Sequence, residues 1–352
     1  MEDVTAVSMA PKIAVQEPVS AGIIFSYKCT SSCRHCMFAG SPAWKADWMS
    51  DDLLNRTLGY LAGRIAPAPD GSDGVGINRG LSFTGGEPFL NFDLLIKAAR
   101  QAAALGIPST LVETNGFWCK DDLTAKYNFL DLKEAGLKGA LISVNPFIAE
   151  EVPFERTARA VRYGREAFGK ACIVHQEHYF YQFLRLGTTG LMTFREYLAR
   201  GREGLSQAEL LPVGRAAYAP GLFRKQAAAA FFGQNCRAEL LNPRHVHFDN
   251  YGNYVTGYCS GIALSSLDRL SNGDREVDPD ERPIIAAILT DIQDLHDLAV
   301  RDLGYVPKER GYVSKCHLCV DIRRHLVLSG ARFAELGPRG FYSRLEDLRS
   351  SL

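Results

Sequence analysis

Three cysteines stand within eight residues, Cys29, Cys33 and Cys36 of the run CTSSCRHCMF. Thiolates gathered this tightly suit soft metals, chiefly zinc and iron–sulfur clusters. A structural zinc site closes with four ligands. A [4Fe–4S] cubane held by three cysteines leaves one iron open to a further ligand. Zinc completed by a distant donor such as His35 is the competing reading of the same residues. A second set has four members, Cys236, Cys259 and the CxxC pair Cys316 and Cys319. Four thiols close the coordination of either a zinc ion or a cubane. Two cysteines remain. Cys172 lies in an apolar run and reads as a buried packing residue, whereas Cys119 follows a polar motif, where a ligand or catalytic role is the minor alternative.

The totals limit what such sites can serve. The chain has 352 residues, enough for one large domain or a main domain with an appendage. Lys and Arg number 40, as do Asp and Glu, so no charge excess points to nucleic acid or an anionic membrane. No run approaches the roughly 18 apolar residues of a membrane span. The N-terminal stretch MEDVTAVSMAPK is acidic and lacks a continuous apolar core, so no secretory signal is expected. An odd cysteine count of nine in a long chain without an export signal argues for reduced thiols in the cytoplasm.

The elements that must position these residues alternate. Strand-like runs begin at Ala21 (AGIIFSYK), Leu81 (LSFT), Ser109 (STLVET), Gly139 (GALISVN), Ala171 (ACIVHQEHYF) and Ala208 (AELLPV). Between them lie helical stretches with start and stop signals, as in SDDLLNRTLGYLAGRI with Ser50 as N-cap, or NFDLLIKAARQAAALG ending at Gly106. About six β–α units over residues 20–232 imply a parallel sheet with helices outside, either open and doubly wound or part of a (β/α) barrel. Both folds bind ligands at the carboxyl ends of the strands. The motifs CTSSCRHC, TGGEP, ETNG, SVNP and PVGRA each follow a strand-like run, so they are expected on one rim. Beyond residue 233 the pattern changes. HVHFDNYGNYVTGYC reads as a hairpin turning at DNYGN, IIAAILTDIQDLHDLAV as one amphipathic helix and CVDIRRHLVLSG as another. The division expected is an N-terminal extension over 1–19, a core over 20–232 and an appendage over 233–352.

Cys29-x-x-x-Cys33-x-x-Cys36 after a first strand, with GGEP at Gly85–Pro88 after the second, resembles the radical S-adenosylmethionine (SAM) superfamily. The resemblance implies a partial (β/α)6 TIM-like barrel in which the open iron chelates the amino and carboxylate groups of SAM. Reductive cleavage then gives a 5′-deoxyadenosyl radical that abstracts hydrogen from substrate. It places Gly85, Gly86 and Glu87 at the SAM ammonium, Phe38 at the adenine, Ser143 and Asn145 at the ribose, and Thr114 and Asn115 near SAM. His35 stands where an aromatic residue is usual. The hairpin, the four later cysteines and LPVGRA (Leu211–Ala216) are similar to the SPASM and twitch subfamilies, and with four thiols imply one auxiliary [4Fe–4S] cluster in the appendage.

The function implied is a net oxidation or crosslink of a peptide or protein side chain, with the auxiliary cluster accepting the electron. The alternative is a small-molecule dehydrogenase or cofactor-biosynthesis enzyme. Only 28 residues precede Cys29, which speaks against a fused leader-binding domain. An electron donor such as flavodoxin or ferredoxin is implied. No catalytic base is named by the sequence. Glu113, Glu177 and Asp249 are candidates by position, and His175 lies near them. Aromatics at Phe117–Trp118, His178–Phe183, Trp44 and Trp48 either shape a pocket or fill the core.

Overall fold

The computed structural model describes residues 11–219 and 221–347. The acidic N-terminal stretch thus falls largely outside the described residues. Strands are numbered in chain order: β1 (Ile13–Ala14), β2 (Ala21–Ile24), β3 (Leu81–Thr84), β4 (Thr110–Thr114), β5 (Gly139–Ser143), β6 (Cys172–His175), β7 (Val246–Asp249), β8 (Asn253–Thr256), β9 (Ser265–Ser266) and β10 (Glu276–Val277). Eight of them form one sheet in the order β6-β5-β4-β3-β2-β7-β8-β9. The run from β6 to β7 is parallel, and β8 and β9 add antiparallel. β1 and β10 pair separately.

Helices fill the β–α crossovers. Asp51–Leu61, Phe92–Ala104 and Asp122–Glu134 start at Ser50, Asn91 and Asp121, whose side chains accept from backbone N–H groups of the first turn. Phe154–Phe168 stops at Gly169, whose φ of 57° is easy for glycine. Strand residues alternate between two surroundings. Phe83, Val112 and Ile142 are fully buried. Any side chain at Gly164 on the Phe154–Phe168 helix would strike Cys172 Sγ and Ile142, which places those two on the helix-covered side. Cys172 is thus the packing residue expected. Cys119 is also fully buried and lines no cavity with the other cysteines.

Four elements differ from the sequence reading. The run from Ala171 leaves the sheet at His175, and Glu177–Arg185 is a helix. Tyr179, Phe180 and Phe183 are buried while Tyr181 and Leu184 are exposed, a helical stripe that a short aromatic run does not distinguish from a strand. AELLPV forms no strand. The sixth parallel position is beside β2, and β7 occupies it. The β7–β8 hairpin therefore extends the main sheet. Finally, the long C-terminal amphipathic stretch is two helices, Pro283–Thr290 and Ile292–Leu303. Asp291 between them is extended, and its carboxylate accepts from Gln293 N and Gly233 N. Among the described residues no helix is long and apolar enough to cross a membrane.

Asp249 closes the β7–β8 hairpin. Its carboxylate accepts from Tyr27 Oη at 3.0 Å, Tyr251 N at 3.0 Å, and Asn253 N and Nδ2 at 2.9 Å. It is fully buried and lines neither the rim cavity nor the void of the C-terminal cysteines, so its place as a candidate base is corrected to a structural one. Asp249→Ala strands several donors and is expected to cost roughly 2–4 kcal/mol, read as a lower urea midpoint of unfolding.

Candidate functional site

The last residues of four parallel strands, Thr84, Thr114, Ser143 and His175, border a single cavity of about 650 Å³. Cys29, Cys33, Cys36, Phe38, Gly85 and Gly86 also line it, as do Asn115, Glu113 and Val213. The motifs after the strands thus meet at one rim, and the volume is that of a small-molecule site.

Backbone geometry sets the cysteine loop. Cys29 N donates to Ser41 O, Cys36 N to Cys33 O, and Gly40 N to the Cys36 sulfur at 3.3 Å. Burial pushes the Cys29 and Cys33 thiols well up from the ordinary range; the Glu87 carboxylate adds to it at Cys29, and the Cys29 and Cys36 thiols add to it at Cys33. The GGEP turn lies directly on this loop. A Cβ at Gly86 would sit 2.0 Å from Lys28 O, and Gly85 has a φ of 129°. Both positions require glycine, because the turn touches the chain that delivers Cys29.

Glu87 has a role other than the one expected. It is 1% exposed and does not line the cavity. Its carboxylate accepts from Phe89 N and Thr114 Oγ1 on one oxygen and from Asn115 N on the other. It ties the GGEP turn to the ETNG turn, and burial raises it to about 7 against the pull of those donors. Asn115 in turn donates to the hydroxyls of Thr30 and Ser31 inside the cysteine loop.

Asn145 is likewise turned from the cavity. Its Oδ1 accepts from Phe147 N and Ile148 N, which fixes the amide so that Nδ2 donates to His35 Nε2 at 3.1 Å. The His35 proton then belongs on Nδ1, which is buried without a partner. Burial holds His35 down at about 4, so it is neutral near pH 7.

Sequence reasoning noted LPVGRA but missed what its arginine does. Arg215 is fully buried. Its guanidinium donates to Cys33 O at 2.8 Å, Gly40 O at 3.0 Å and Arg344 O at 3.3 Å, and its N–H to Cys36 O. Gly214, at φ 53°, lies so close that a Cβ would meet Met37 Cα at 2.5 Å. The signal in the sequence was a Gly–Arg pair after the last rim motif, but its target, 180 residues upstream, was not readable.

Among the candidate bases Glu113 alone lines the cavity. Thr84 Oγ1 donates to it at 2.8 Å, and burial raises its pKa. Glu177 is paired with Arg165 on the surface. Two of the aromatics serve the core: Trp118 stacks on Phe89 at 3.9 Å between ring centres and Trp44 on Tyr27 at 4.8 Å, and neither lines the cavity, while Tyr181 is exposed.

The C-terminal cysteines also converge. Cys236, Cys259, Cys316 and Cys319 line a void of about 40 Å³, with Arg323, Val213 and Tyr258. Burial pushes Cys259 up to about 12 and Cys316 up to about 11, while the Arg323 guanidinium pulls both back. Among the described residues no three His, Cys, Asp or Glu side chains draw together tightly enough for a single metal ion. The fit of both sets to iron–sulfur clusters rests on the donors, buried or half-buried cysteines in groups of three and four, each group lining its own cavity.

Arg215→Met takes the guanidinium from two buried carbonyls, leaving Cys33 O with only Cys36 N and Gly40 O without that donor, and is expected to cost roughly 2–5 kcal/mol. In the metal-free protein it should also speed the reaction of the Cys29–Cys36 thiols with a disulfide reagent. An unchanged thiol rate would remove the stapling role.

Residues 21–143, about a third of the chain, match the family model described as a 4Fe–4S single cluster domain. The matched stretch contains all three loop cysteines and GGEP. No curated protein matches the chain. Two solved structures show a distant likeness. One is BtrN in complex with AdoMet and 2-DOIA, at 12% identity and TM-score 0.40, over 74% of this chain and 82% of that one. The other is native anSMEcpe with bound AdoMet and Kp18Cys peptide, at 15% identity and TM-score 0.23, over 44% of this chain and 51% of that one. The part of the chain assigned to a family is thus the 4Fe–4S stretch over residues 21–143.

Proposed function

We propose that this chain is a radical SAM enzyme, with a [4Fe–4S] cluster on Cys29, Cys33 and Cys36 and SAM in the adjoining cavity. The observation that carries the reading is the meeting of three thiols with Gly85, Gly86, Phe38 and Ser143 around one cavity of about 650 Å³. The match of residues 21–143 to a 4Fe–4S domain supports it. When bound, cluster and SAM supply a 5′-deoxyadenosyl radical that takes a hydrogen from substrate.

The chain's residues do the rest. The loop thiols give up their protons to bind iron, against a burial that favours the neutral form. Gly85 and Gly86 bare their backbone to the cavity, Phe38 gives it an apolar wall, and Ser143 gives it a hydroxyl. Glu113 is the carboxylate placed to take a proton there. In this reading the parallel strands form a partial (β/α)6 barrel, and the C-terminal region is a twitch-like appendage whose four cysteines hold a second [4Fe–4S] cluster.

The net reaction favoured is oxidation or crosslinking of a peptide or protein side chain, with the auxiliary cluster accepting the electron and a flavodoxin or ferredoxin supplying the first one. The second reading, a small-molecule dehydrogenase or cofactor-biosynthesis enzyme, is favoured by a cavity of single-ligand size.

Reconstituted protein given SAM and dithionite should form 5′-deoxyadenosine, and Cys33→Ala should abolish it; none from the wild type would sink the proposal. Iron content should be about eight per chain, falling to about four when Cys316 and Cys319 are both replaced by Ala. An unchanged iron content would remove the second cluster.

A further inference from the structure

Arg323 is 4% exposed and lines the void between Cys236, Cys259, Cys316 and Cys319. It lies on the same helix as two of them, Lys315–Leu328, four residues after Cys319 and seven after Cys316. Residues so spaced share a helix face, so the guanidinium is delivered to the side on which both thiols lie.

Its partners are neutral. Nη1 donates to Ser260 O at 3.1 Å and to Tyr342 Oη at 2.7 Å. Nε is buried without a hydrogen-bond partner. Among the described residues no carboxylate forms a salt bridge with it. The other cation at the site is balanced: Lys315 Nζ pairs with Glu239 at 2.8 Å.

A buried charge without an opposite charge is costly. Folds that keep one meet it with an anion or, as at Arg215, with hydrogen bonds to neutral oxygens; Arg323 has no such partner at Nε. Four thiolates outweigh the positive charge of a cubane core, so a fully ligated cluster is an anion, and each electron it takes up makes it more so. A fixed guanidinium beside its sulfurs favours that more negative state.

We propose that Arg323 is the resident counter-ion of the auxiliary cluster and raises the potential at which that cluster accepts an electron. The proposal rests on the second cluster put forward above and assigns it a direction: Arg323 makes it an acceptor.

The test uses the full chain with Cys29, Cys33 and Cys36 replaced by Ala, so that iron on the C-terminal set is read alone. Arg323→Met removes the charge at similar length, and Arg323→Lys keeps it. Dithionite titration followed by electron paramagnetic resonance gives the midpoint of each. The expected result is a midpoint shifted to lower potential in Arg323→Met and nearly retained in Arg323→Lys. Iron should also pass to a chelator several-fold faster from the Met variant. Equal midpoints and equal iron loss in the two variants overturn the role of Arg323 while leaving the cluster standing. Failure of the triple-alanine parent to bind iron overturns the cluster, and Arg323's role with it.

Discussion

A single buried guanidinium holds the first cysteine loop in place. Such a loop has little regular structure and satisfies its own carbonyls only in part: Cys36 N reaches Cys33 O, and Gly40 O is left to an outside donor. Arg215 meets two of them from inside the molecule and reaches the C-terminal segment through Arg344 O. Its charge is spread over hydrogen bonds to neutral oxygens, which suits arginine's planar fork better than lysine's single point. The loop's shape is therefore set by residues that follow the strand series, and the cavity wall made by Val213 comes with the same turn.

Around that staple, polar side chains link the rim motifs to one another more than they face the cavity. Glu87 joins the GGEP turn to the ETNG turn, Asn115 joins the ETNG turn to the cysteine loop, and Asn145 joins the end of β5 to His35. Each satisfies several buried donors or acceptors at once, which is the condition for polar groups to lie inside at little cost. The cavity is lined by backbone, hydroxyls and thiols together with His175, Gln176 and the Glu113 and Glu209 carboxylates. Its rigidity comes from the groups that do not touch its contents.

The alternation of strands and helices was legible because the N-caps at Ser50, Asn91 and Asp121 and the stop at Gly169 are local signals. The meeting of the motifs at one rim followed from strand polarity. Three things were hidden because they depend on distant partners. The direction in which Glu87 and Asn145 point is fixed by Thr114, Asn115 and Phe147, and no spacing encodes it. The position of β7 beside β2 is a pairing across more than 200 residues. The helix at Glu177–Arg185 shares its aromatic run with a plausible strand and differs only in which neighbours cover it.

Val213 and Tyr258 border both the large cavity and the small void of the C-terminal cysteines. Tyr258 immediately precedes Cys259, and its hydroxyl accepts from Asn78, another cavity-lining residue. This partition is one side chain thick. Drift in sequence is consequently constrained on that side, since a change that enlarges or reshapes the chamber there displaces a thiol as well. Ile77, Leu210 and Leu211 come from irregular segments, line the large cavity without bordering the small void, and carry no such double duty. Divergence in what the chamber admits has its free ground there, and descendants of this fold can change their clientele without rebuilding either set of cysteines.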